Sequence, residues 1–134
     1  MSTDHRRLRG FIAFQVVLDG AVGAVLVAAP GVLGRLPLLP TVPDGWVRGL
    51  GGVALVLAVC YGLALWRLSK ASGPLLVANV VRAVTGSTML VFLLPDDSLV
   101  LPVRLAGTGE LLFAAITIAL QRRAGLALRP GRSP

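Results

Sequence analysis

Four stretches of this chain stay apolar long enough to cross a lipid bilayer: about Phe11–Ala29, Trp46–Trp66, Leu75–Leu94 and Leu99–Leu120. Each is close to the roughly 20 residues that span a hydrocarbon core as a helix. Of the 134 residues, 55% are hydrophobic and only 14% charged. Soluble domains average about 25% charged residues, so this chain carries too much apolar surface to bury in water. The expected fold is all-α, a four-transmembrane-helix bundle over 11–121. A basic leader (1–10) precedes it and a basic tail (122–134) follows. "MSTDHRRLRG" before an apolar run resembles a signal peptide, but the run is long, carries Gln15 and Asp19, and leads into "APGVLGRLPLLP". It is therefore read as the first membrane helix.

The net charge of +7 is distributed by side. Arg6, Arg7, Arg9, Arg67, Lys70, Arg122, Arg123, Arg129 and Arg132 fall on one side of the expected bundle. Asp44, Asp96 and Asp97 fall on the other, with Arg35, Arg48 and Arg104. The positive-inside rule then puts both termini in the cytoplasm of a multi-pass protein in the cytoplasmic (inner) membrane. No basic groove interleaved with aromatics is present, so nucleic acid is not an expected partner. A lone cysteine, Cys60, excludes an intrachain disulfide. A lone histidine, His5, excludes a bis-histidine haem or histidine-ligated zinc site within the chain. No cofactor and no metal is expected.

Within the apolar stretches a few residues do not belong in lipid. An arginine at the centre of a membrane helix costs about 2.5–3.5 kcal/mol on insertion scales, yet the third span carries Arg82. At 1.5 Å of rise per residue, Asp19, Arg82 and Glu110 lie about 12–15 Å from the same face of the membrane. Gln15, Asp19 and Gly23 share one helix face, as do Asn79, Arg82 and Gly86, and Glu110 and Thr117. Tyr61 reaches a similar level. These faces are expected to converge on the interior, where Arg82 can hold carboxylates through parallel hydrogen bonds. Two acids against one arginine leave net negative charge, and burial favours a proton on one of them.

Three readings of this layer stand open. In one, Asp19, Arg82 and Glu110 lock helix register in a non-enzymatic accessory or structural subunit. In another, they line a pocket for a lipophilic small molecule or lipid, with Gln15, Tyr61, Asn79, Arg48 and Arg104 as further contacts. An enzymatic form would use Asp19, Glu110 and Arg82 as catalytic groups in a cofactor-free isomerisation, cyclisation or ring opening. The third is proton-coupled transport. Arg48 and Arg104 also suit snorkelling anchors at helix ends.

An internal repeat is visible. "VRGLGGVALVLAVCYGLALWR" from Val47 aligns with "VRLAGTGELLFAAITIALQRR" from Val103, matching Arg48 to Arg104, Gly51 to Gly107 and Arg67 to Arg123. A weaker match sets Gln15–Val17 against Asn79–Val81. Small residues at four-residue spacing (Gly20, Ala24, Ala28; Ala54, Ala58, Gly62) permit close helix approach, either inside the bundle or in a homo-oligomer.

The Gly-rich "GAVGAVLVAAPGVL" ending at a proline, "VRGLGG" opening the second helix, the basic turn, and "LVANVVRA" in the third together resemble the DoxX-like group of small four-helix bacterial membrane proteins. The resemblance covers about Phe11 to Gln121. It implies the architecture and carries over no catalytic residue, and the Ala-, Val-, Gly- and Arg-rich composition suggests a high-GC bacterial source.

Overall fold

The computed structural model describes residues 3–35, 43–68, 72–91 and 100–126. Four helices account for most of them: α1 (Thr3–Ala28), α2 (Asp44–Trp66), α3 (Ser72–Val91) and α4 (Val100–Arg123), with a 3₁₀ turn at Pro30–Arg35 after α1. All four are long and apolar enough to cross a membrane. The all-α four-helix bundle expected from the sequence is the fold observed. Lys70, Asp96, Asp97, Arg129, Arg132 and the expected span residues Phe92, Leu93, Leu94 and Leu99 lie outside the described residues.

The helix ends follow local chemistry. Pro30 lacks the N–H a continuing helix needs, and α1 gives way there to the 3₁₀ turn. Pro43 opens α2, its carbonyl accepting from the Trp46 and Val47 amides at 2.9 and 3.3 Å. Asp44 follows in the first turn, where the helix dipole favours an anion. α4 closes with paired bonds, Leu126 N–H to Gln121 C=O at 3.0 Å and Gly125 N–H to Arg122 C=O at 3.1 Å. Gly125 supplies the positive φ of 68° that this closure requires. The basic leader is helical, because α1 begins at Thr3 and its Leu8 is fully buried.

Burial is inverted relative to a water-soluble protein. Gln15, Asp19, Asn79, Arg82, Thr117 and Gln121 are buried, while Val17, Val59, Val84 and Leu105 are more than 60% exposed. Valine and leucine on the outside cost nothing where the surroundings are lipid tails, and polar groups inside can pair with one another. Trp46 and Trp66, also exposed, flank α2 at its two ends as interface anchors do.

The chain packs as two helical hairpins, α1 with α2 and α3 with α4, each tighter internally than the hairpins are to one another. One glycine pair sets the closest approach in each hairpin. A Cβ added to Gly23 would sit 2.8 Å from the Gly51 carbonyl oxygen. One added to Gly86 would sit 2.8 Å from the Gly107 carbonyl oxygen, and the converse holds for Gly107. The obstacle is backbone, so even a methyl group would push the helices apart. The expected stripe of Gly20, Ala24 and Ala28 is not this contact. Gly20 has only an ordinary van der Waals neighbour in Ala58, and Ala24 and Ala28 are exposed. Toward the ends that carry Thr3 and Arg123 the interior holds an apolar cluster, including Leu8, Ile12, Tyr61, Ala64 and Leu75.

Candidate functional site

Arg82 sits near the midpoint of α3, ten residues after Ser72 and nine before Val91. Its side chain is completely buried. The helical period sends Asn79, Arg82 and Gly86 to one face, where Asn79 meets Gln121 and Gly86 meets Gly107 of α4, and the Arg82 side chain reaches across the bundle to α1. Three guanidinium nitrogens are engaged by three other helices. Nη2 donates to Asp19 Oδ2 of α1 at 2.6 Å, Nη1 to Glu110 Oε2 of α4 at 2.5 Å, and Nε to the Tyr61 hydroxyl of α2 at 3.0 Å. The aromatic rings of Tyr61 and Phe113 stand 5.5 and 5.1 Å from the guanidinium carbon. Both are within cation–π range. The expected convergence of Asp19, Arg82, Glu110 and Tyr61 is therefore observed.

The three charged groups differ in access. The side chains of Arg82 and Asp19 are 0% and 9% exposed, that of Glu110 25%. Glu110 spends Oε2 on Arg82, and among the described residues its other carboxylate oxygen accepts no hydrogen bond.

On one side of the cluster lies a cavity of about 280 Å³. All four helices contribute to it, and its walls are apolar, including Leu26, Leu50, Val53, Ala54 and Met89. Asp19, Arg82 and Glu110, with Thr85, supply its polar side chains. The wall residues lie toward the ends carrying Ala28 and Asp44, level with the glycine pairs. Each glycine pair draws its own hairpin together, and the cavity occupies the looser seam between hairpins.

On the other side of the cluster is a buried polar layer. Asn79 Nδ2 donates to Gln121 Oε1 at 3.1 Å, and the Thr117 hydroxyl donates to the Phe113 carbonyl at 2.8 Å. Gln15 is fully buried, and neither atom of its amide group has a partner; the Asn79 carbonyl oxygen has none either. An unsatisfied buried polar group costs about 1–3 kcal/mol, so this layer holds unspent hydrogen-bonding capacity.

Of the other expected contacts, Gln15 and Asn79 lie one turn from Asp19 and Arg82, inside the bundle. Arg48 and Arg104 are exposed near the starts of α2 and α4, and neither is bonded to the cluster. Sequence reading missed Gln121 and Phe113. The signal for Gln121 was present: Glu110, Ala114, Thr117 and Gln121 repeat at the spacing of one helix face. Phe113, one turn from Glu110, read as an ordinary apolar residue. Among the described residues no group of three or more metal-ligating side chains occurs.

Fold and site together define a small multi-pass membrane bundle with an ion cluster at the centre. No protein-family model matches the chain, and no curated protein and no solved structure matches it.

Proposed function

We propose that this protein binds a lipophilic small molecule within the membrane, in the cavity beside Asp19, Arg82 and Glu110. The observation that carries this reading is the pairing of apolar walls with one convergent polar cluster. Ligand pockets are built in this way, and typical ones measure roughly 300–1,000 Å³, so about 280 Å³ suits a small ligand. In the enzymatic form of the reading, a protonated carboxyl of Glu110 or Asp19 gives its proton to an epoxide, alkene or carbonyl. Arg82 then holds the remaining carboxylate or the developing negative charge.

Ala54 lines the cavity and takes no part in the ion cluster. Ala54→Phe is expected to fill the space and abolish ligand retention while the bundle still melts as a folded protein. Mass spectrometry of organic extracts from the purified wild-type and variant proteins reads this directly. A folded variant that retains the same lipophilic compounds in the same amounts would sink the pocket reading. The competing reading, a lock in an accessory subunit, draws support from the fact that one arginine ties α1, α2, α3 and α4 together.

We also propose that both termini are cytoplasmic and that the membrane is a bacterial inner membrane, on the basic residues of the leader, inner turn and tail and on the DoxX-like resemblance. Reporter fusions at Ser2 and Pro134 are expected to read as cytoplasmic, and a periplasmic signal from either end would reverse the orientation. The repeat is part of the same proposal: two hairpins of common origin, each pinned by one glycine pair. In that register Gly23 corresponds to Gly86 and Asp19 to Arg82, both 63 residues apart. Gln15 and Asn79 are 64 apart, so that sequence match is one residue out of step with the glycines. The exposed Ala24 and Ala28 leave a homo-oligomer contact as a further element of the proposal.

A further inference from the structure

The cluster at the cavity constrains the polar end of whatever the cavity holds. Two carboxylates face one guanidinium, a formal excess of one negative charge. Arg82 has five N–H donors, and three nitrogens are already committed to Asp19, Glu110 and Tyr61. An anionic head reaching the remaining N–H groups would meet two carboxylates at close range. In a low-dielectric surrounding that repulsion is strong. The accessible group is instead an acceptor, the Glu110 carboxylate, with one oxygen free of protein hydrogen bonds.

We propose that the cavity selects lipophilic cations, primary alkylamines above all, whose ammonium pairs with Glu110 while the chain lies against Leu26, Leu50, Val53 and Met89. This rests on the pocket reading above and adds the charge and class of the ligand. An ammonium brings hydrogen-bond donors to the free carboxylate oxygen and neutralises the cluster. A fatty acid of the same length does the opposite on both counts. The titratable or charged groups that meet there are Asp19 from α1, Tyr61 from α2, Arg82 from α3 and Glu110 from α4.

The test compares n-octylamine, n-octanol and n-octanoate as thermal stabilisers of the full-length protein in detergent. Octylamine is expected to bind at least tenfold more tightly than octanol, and octanoate is expected not to bind. Glu110→Gln should remove the amine's advantage, so that octylamine binds no more tightly than octanol. Octanol or octanoate binding as tightly as octylamine would overturn the charge selection and leave the pocket standing. An amine effect that persists in Ala54→Phe, which keeps the cluster intact, would place the amine outside the cavity and overturn both. Stabilisation by none of the three would also overturn both. If Glu110→Gln fails to fold, the comparison of the three octyl compounds on wild type and Ala54→Phe still decides.

Discussion

Arg82→Ala is expected to be the most damaging single substitution in the chain. It removes the only cation that contacts Asp19 and Glu110 among the described residues, leaving two acids together in the bundle. Breaking a buried ion pair by deleting one partner costs about 3–5 kcal/mol. The Tyr61 hydroxyl loses its donor as well. Arg82→Lys keeps a positive charge but replaces a planar fork with a single ammonium. It reaches one or two of the three partners and should recover only part of the loss. Thermal or denaturant unfolding in detergent measures both. A wild-type melting temperature for Arg82→Ala would mean that the arginine does not hold this bundle together.

The two carboxylates are expected to behave as a redundant pair. Asp19→Asn alone leaves Arg82 paired with Glu110, and Glu110→Gln alone leaves it paired with Asp19. Either change turns a cluster with one excess negative charge into a balanced ion pair, so each should cost about 1 kcal/mol or less, comparable to one hydrogen bond. The double variant is different in kind. It leaves a fully buried guanidinium with neutral partners only, two amides and the Tyr61 hydroxyl, and should cost about 3–5 kcal/mol. The double-mutant cycle is thus expected to be strongly non-additive. Additive single and double effects would show that Arg82 finds its stability elsewhere, from the Tyr61 hydroxyl and the flanking aromatic rings.

This redundancy bears on the proposed function. A lock needs one acid for one arginine. Two acids on one arginine, with the second a quarter exposed beside a cavity, leave Glu110 available for a ligand or a proton without dismantling the bundle. Glu110→Gln therefore separates binding from stability better than any change at Arg82.

Much of this molecule is written in linear pattern. Four apolar runs of bilayer length leave a helical bundle as the solution, since in lipid a backbone must satisfy its own hydrogen bonds. The helical period then places Gln15, Asp19 and Gly23 on one face and Asn79, Arg82 and Gly86 on another. A charge in hydrocarbon must find a partner, so the meeting of Asp19, Arg82 and Glu110 is legible from composition, period and depth alone. What the sequence could not decide is distance between helices. The Gly20–Ala24–Ala28 spacing looked as suitable for close packing as any. Only the rotation of α1 against α2 selects Gly23 and Gly51, because small residues permit an approach without dictating it. The cavity is likewise invisible in sequence, since its walls are ordinary leucines, valines and alanines that would fill a core equally well. It exists because two hairpins each close on their own glycines and meet less closely across the seam between them. That arrangement is a property of tertiary packing, and it leaves Glu110 a quarter exposed beside a cavity.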